Sequence, residues 1–290
     1  PNHSGNNLSW DLPMVESDCQ LFYVANCGYY GAWALPYHYI EFDAMVDTFA
    51  LPGVTINNYE ISGGNLTSTV TSNNVNVLVV ASFGQEVEKL VSVDGGTNYA
   101  SSATAAPGST ARYRLNYRNT SNVPVSEIKM ADLLAFNDGS NDWLVLNRTA
   151  PRNSQFAVQY AANHSTSLLP AATAPVASLN FANGTNVCLP LFGVNSLCNA
   201  VTWGTGSDQN IQFDYGSFAL APAQNLFEDF DVNVPASANN QEQVCNDFAA
   251  IASAGFLLNG TPQLVSLTPI PAPPVCLTVD STGTQPSGCC

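Results

Sequence analysis

The sequence predicts an all-β protein built from sandwich modules. Three observations carry this. Short runs rich in Val, Ile, Tyr and Phe alternate apolar and polar residues, as in Val75–Val80 (VNVLVV) and Ala111–Tyr117 (ARYRLNY). Clusters of Gly, Pro, Asn and Ser punctuate the chain between such runs. No long stretch keeps a 3.6-residue apolar period. Residues 245–257 come nearest, but they are rich in Ala and end at a glycine turn, which suits a strand equally.

Taken in chain order, the first elements form one arm of an internal repeat. Gly31–Pro36 (GAWALP) and Tyr39–Val46 (YIEFDAMV) match Gly216–Pro222 (GSFALAP) and Leu226–Val234 (LFEDFDVNV). Downstream, Val54–Asn58 corresponds to Val244–Asn246, and the Val-rich strand Asn74–Ala81 to Pro274–Val279. Trp10 and Trp203 occupy similar places upstream. Residues 1–83 therefore read as an incomplete half-module, 84–281 as a complete module with long insertions, and 282–290 as a Cys-terminated tail. Half a sandwich exposes an apolar face and open strand edges, so its missing strands come from upstream of Pro1, from another subunit, or from packing on the full module. The chain begins at Pro1 without an initiator methionine and reads as a processed or partial chain.

Next come Glu86–Val93 as a first strand, then Ala111–Tyr117, with Tyr113, Leu115 and Tyr117 on one face and Arg112, Arg114 and Arg118 on the other. That is a half-buried strand. The stretch Ala106–Pro124 (APGSTARYRLNYRNTSNVP), followed by Val125–Leu134 (VSEIKMADLL), has a P-G-S turn leading to a Tyr strand, then N-x-S-N-x-P, then a strand ending in Asp-x-Leu. In this order the motifs resemble the conserved-repeat, immunoglobulin-like modules known as domain of unknown function 11. Cys245–Ala249 (CNDFA) is similar to that family's N-x-A strand. The long stretch between Asp132 and Trp203 and the number of cysteines depart from the pattern. The resemblance implies immunoglobulin-like sandwiches in surface proteins, adhesin stalks and filaments, and no chemistry on a substrate.

Composition agrees with an extracellular chain. Hydrophobic residues are 46% of 290, ample for packed cores, while only 10% are charged, against roughly 25% in an ordinary soluble domain. The net charge of −15, with just Lys89 and Lys129 as lysines, argues against nucleic acid as a partner, since phosphate binding needs clustered cations. No membrane-spanning run is present. The cysteines lack C-x2-C spacing and His3, His38 and His164 lie far apart, so we expect no metal site and no cofactor. Disulfides are expected instead, with Cys19–Cys27, Cys188–Cys198 and Cys245–Cys276 paired by proximity, each contributing about 2–4 kcal/mol. Cys289 and Cys290, adjacent at the end, suit crosslinks between subunits. Sequons begin at Asn2, Asn7, Asn65, Asn119, Asn147, Asn163, Asn183 and Asn259, which predicts N-linked glycans.

No G-x-S-x-G, H-E-x-x-H or P-loop occurs, so no enzyme is expected. Glu41 with Asp43, and Glu228, Asp229 and Asp231, have a strand-like spacing that puts two acids on one face, as a glycosidase needs; a solvated strand face is the preferred reading. His38 reads as a surface or packing residue, and the tryptophans as core. No catalytic residue toward a substrate is expected, and one candidate reaction lies within the chain. Immunoglobulin-like modules of pili and adhesins form a self-catalysed Lys–Asn amide beside a buried carboxylic acid. Here Lys89 lies on the first strand, Asn246 on a late strand and Asp132 at the end of a middle strand. A buried lysine shifts towards its neutral, nucleophilic form, and a protonated acid polarises the Asn carbonyl. The alternative for Lys89 is a solvent-facing strand lysine. These features predict a subunit of an extracellular filament or surface layer, partnered by copies of itself through β-strand exchange or edge pairing. The competing expectation is an adhesin or carbohydrate-binding stalk segment using Tyr29, Tyr30 and Trp33.

Overall fold

The computed structural model describes residues 2–4, 7–9, 42, 44–47, 50–62, 68–135, 142–173, 177–183, 209–258 and 261–282, and every regular element among them is a β-strand. The chain divides into two compact units, Pro1–Val46 and Asp47–Cys290. In the first, β1 (Asn2–Ser4) and β2 (Asn7–Ser9) pair antiparallel.

The second unit opens with β3 (Gly53–Asn57), β4 (Glu60–Ile61), β5 (Val70–Thr71) and β6 (Val75–Val79). These build a hairpin-like arm in which β3 pairs β6 and β4 pairs β5. The sandwich follows with β7 (Gln85–Ser92), β8 (Ser102–Ala105), β9 (Thr110–Asn119), β10 (Val125–Leu133), β11 (Trp143–Leu144), β12 (Asn147–Pro151), β13 (Gln159–Leu169) and β14 (Ser178–Asn183). It closes with β15 (Gln209–Asp214), β16 (Asn225–Asn233), β17 (Gln243–Asn246), β18 (Phe248–Leu258), β19 (Thr261–Ser266), β20 (Ile270–Pro271) and β21 (Val275–Val279).

Two large antiparallel sheets face each other. One has the order β13-β16-β9-β7; the other runs β14-β15-β10-β18-β19, with β20 beside β18. β9 alternates as its sequence predicts: Ala111, Tyr113, Leu115 and Tyr117 are buried while the arginines between them are half-exposed. Across the core, Phe213 of β15 packs on Phe230 of β16 at 5.8 Å between ring centroids, and within its own sheet Phe230 packs at the same distance on Tyr113, its partner on β9. Each such buried aromatic contributes about 1.5–3 kcal/mol. The Ala-rich stretch from 248 is β18, an internal strand whose small side chains fit between its neighbours.

A third sheet, β17-β21-β8, has β21 antiparallel to β17 and parallel to β8. Cys245 and Cys276 stand directly opposite in its register and form a disulfide. The β3–β6 pair repeats this arrangement. Residues 54–57 lie antiparallel to 75–78, as 244–246 lie antiparallel to 275–277. Among the described residues, however, β6 has no third strand where β21 has β8. At the base of the arm, Asn122 Nδ2 donates to the carbonyls of Ala50 and Val80, and its Oδ1 accepts from the Ser82 amide.

The solvated face expected for Glu228, Asp229 and Asp231 is not found. β16 is an inner strand, and all three carboxylates are buried. Asp229 takes a two-pronged bond from Arg114 and a hydroxyl from Tyr99, and Asp231 takes Arg112 and Asn163. Glu228 accepts from Thr166 and Tyr215 and meets His164 Nδ1 at 3.0 Å. The apolar alternation of β16 hid this, because both faces of the strand are covered.

Candidate functional site

A polar cluster lies inside the sandwich, built from residues that three different sheets deliver. Lys89 sits on β7 in the inward row of Val87 and Val91, a lysine where the pattern calls for an apolar residue. Asp132 owes its direction to a bulge. Between Ser126 and Lys129 the pairing of β10 with β18 slips, and Glu127 takes a left-handed φ of 52°. Val125 faces the core before the slip, and Ile128, Met130 and Asp132 face it afterwards. A bulge that re-aims side chains next to a site is a recurrent device. Asn246 ends β17, and the chain then crosses at Asp247 into β18 of the facing sheet.

The result is a single carboxylate holding both partners of the expected amide. Lys89 Nζ donates to Asp132 Oδ2, and Asn246 Nδ2 donates to Asp132 Oδ1 at 2.8 Å. Lys89 is 2% exposed, and Asp132 and Asn246 are 0% exposed. The lysine ammonium position lies 4.5 Å from the centre of the Tyr113 ring and 5.9 Å from that of Phe230. The solvent-facing alternative for Lys89 is therefore excluded. Burial lowers the Lys89 pKa, opposed by the Asp132 charge, and this favours the neutral amine that attack requires.

Sequence reasoning missed the other half of the cluster. Arg152, one residue beyond β12, has a fully buried side chain. Its Nη1 donates to Asn246 Oδ1 at 3.1 Å and to Asp247 Oδ1 at 3.2 Å, and its Nε to Asp142 Oδ1 at 2.9 Å. It also donates to the carbonyls of Leu133 and Leu134. Asp247 in turn accepts the Val145 amide, and burial raises its carboxyl pKa against the pull of Arg152. The orientation of the Asn246 amide follows from its neighbours: a guanidinium only donates, so Arg152 faces the amide oxygen and Nδ2 donates to Asp132. The expectation that Asp132 polarises the Asn carbonyl thus needs correcting: Asp132 meets the amide nitrogen, and Arg152 meets the oxygen. Arg152 stands in a segment without periodic pattern; the scarcity of cations in so acidic a chain was its only signal.

The expected glycan sites separate. Asn119 is fully buried; its Nδ2 donates to the carbonyls of Val123 and Leu220 and its Oδ1 accepts the Ser121 amide. A sugar has no room there in the folded chain, which corrects the expectation for this sequon. Asn163 is exposed. Asn2, Asn7, Asn147 and Asn183 lie on strands. Asn65, Asn259, Cys19, Cys27, Cys188, Cys198, Cys289, Cys290, Tyr29, Tyr30, Trp33, His38, Glu41 and Asp43 lie outside the described residues. Among the described residues, no three potential ligands cluster to hold a metal ion, and no helix is long and apolar enough to cross a membrane.

No protein-family model and no curated protein matches the chain. Among solved structures it is similar to BcpA, the major pilin subunit of Bacillus cereus, at 9% identity and a TM-score of 0.39, over 77% of this chain and 48% of that one. It is also similar to the full-length major pilin SpaD of Corynebacterium diphtheriae, at 10% identity and 0.35, over 66% and 35%. A third is the C-terminal domain of the Streptococcus pyogenes antigen I/II-family protein AspA, at 15% identity and 0.31, over 78% and 55%. The chain thus spans about half the length of the first pilin or less of the second. At these values no argument rests on the likeness.

Proposed function

We propose that this chain is a structural glycoprotein subunit of an extracellular filament or surface layer, closed internally by an amide between Lys89 and Asn246. The observation that carries the proposal is the shared carboxylate of Asp132, buried with the amine on one oxygen and the amide nitrogen on the other. In the reaction, the Lys89 Nζ lone pair attacks Asn246 Cγ and the carbonyl π pair moves to Oδ1. Asp132 carries one proton from Nζ to Nδ2. The Cγ–Nδ2 bond then breaks, the carbonyl reforms, and ammonia leaves. Burial keeps water from competing for the carbonyl. The test is the mass of the folded protein made without N-glycans, which should be lighter than the sequence requires by one ammonia beyond its disulfides. An unmodified tryptic peptide ending at Lys89 in most molecules would sink the reading.

Assembly through strand exchange is supported by the β3–β6 arm. Val54, Ile56, Val75, Val77 and Leu78 are all exposed, on both faces of the ribbon. Apolar residues in such number on an open two-stranded ribbon mark an interaction surface. Residues 53–82 carry one charge, Glu60, in a chain of net −15, so a like-charged copy meets little repulsion there. The position beside β6 that corresponds to β8 beside β21 takes a strand from a neighbouring copy. The Cys245–Cys276 bridge favours an oxidising, extracellular setting. Electron microscopy of unreduced protein should show fibres or sheets; a chain that stays monomeric at high concentration would count against assembly.

A further inference from the structure

We infer that Arg152 is a catalytic residue of amide formation, holding the negative charge that collects on Asn246 Oδ1 when Lys89 attacks. This rests on the crosslink reading above. Attack turns a neutral carbonyl oxygen into an oxyanion, and the barrier falls if a donor already stands where that charge appears. Arg152 Nη1 is such a donor, 3.1 Å from Oδ1. Asp132 cannot take this part, because its two oxygens are engaged with Nζ and Nδ2. The labour is divided: the carboxylate moves the proton from attacking to leaving nitrogen, and the guanidinium hydrogen-bonds to Oδ1 while that oxygen holds the electron pair of the C=O bond, until the carbonyl reforms and ammonia departs.

The guanidinium is prepared for this before the reaction starts. Asp142, Asp247 and two backbone carbonyls fix its plane, and Asp142 is itself held by the Ser154 amide at 2.7 Å. A donor locked by its surroundings needs no reorganisation as the charge develops. In a site sealed from water, its effect on the oxyanion is larger than it would be in solvent.

The experiment is a time course of ammonia loss in full-length chain made by cell-free synthesis and quenched in acid at intervals. Wild type, Arg152→Gln and Asp132→Asn are compared, with folding followed by near-ultraviolet circular dichroism. We expect Asp132→Asn to stay uncrosslinked and folded Arg152→Gln to crosslink slower by about 10²-fold or more. Folded Arg152→Gln that crosslinks at the wild-type rate overturns the role of Arg152 and leaves the crosslink standing. Wild type that never loses ammonia overturns the crosslink itself. If Arg152→Gln does not fold, the wild-type crystal structure decides. The new amide oxygen should lie on Arg152 Nη1 and its N–H on Asp132, and an oxygen turned away from Arg152 overturns the inference.

Discussion

Lys89 and Asn246, from strands at opposite ends of the module's sequence, meet on the two oxygens of one buried carboxylate. The replacement Asp132→Asn keeps the size of that group and removes its ability to move a proton. We expect no loss of ammonia in this variant. The amide would close a loop of more than a hundred residues, so its absence should cost about 4–5 kcal/mol by the chain-entropy argument. Intact mass and urea midpoints, measured side by side, check both statements.

The arm gives an independent prediction. Leu78 is 68% exposed, so Leu78→Lys should change the stability of the isolated chain by no more than about 0.5 kcal/mol. It should nonetheless suppress fibres, because a charge on the ribbon must be desolvated at the joint. Fibres of normal yield from this variant would remove the arm from assembly.

Glu228 predicts a pH dependence. Burial raises its pKa, with bonds from Thr166, Tyr215 and His164 opposing. A group that holds its proton more tightly when folded stabilises the fold below its unfolded pKa, and that contribution is lost as pH rises through the folded value. Wild type should therefore lose stability relative to Glu228→Gln from the ordinary glutamate range upwards, by up to about 1.4 kcal/mol per pH unit. A constant difference in urea midpoint across that window would contradict the assignment.

The disulfide predicts a more ordinary effect. Cys245→Ala with Cys276→Ala opens a loop of sequence separation 31 and should cost about 3–4 kcal/mol. Under reducing conditions wild type and the double variant should melt at about the same temperature.

Glycan mapping of the secreted, folded protein should find Asn119 bare, since both hydrogens of its amide are spent on backbone carbonyls. Sugar on Asn119 in folded material would contradict its burial.

Much of this architecture was legible in the residues. The alternation of Tyr113, Leu115 and Tyr117 against the arginines identified β9 and its buried face, and the placing of Lys89, Asp132 and Asn246 on a first, a middle and a late strand named three members of the cluster. Arg152 was not legible, because its position depends on a turn after β12 and on the crossing at Asp247. Nor was the inward aim of Asp132, which follows from the slip at Glu127 and not from simple alternation. The acids of β16 misled for a related reason. Alternation tells which residues share a face, whereas only the tertiary fold tells whether that face meets water.

The disulfide and the proposed amide are neighbours in the chain, and this has a mechanical consequence. Cys245 bridges to Cys276, and Asn246, the next residue, is the proposed partner of Lys89. Once the amide forms, a pull applied at the two ends of the module runs from residue 89 across to 246, back one peptide unit to 245, and across again to 276. Every strand from β8 to β16, and the long segment inserted among them, lies off that line. The described strands off that line stay folded under a tension that would unravel an unlinked sandwich.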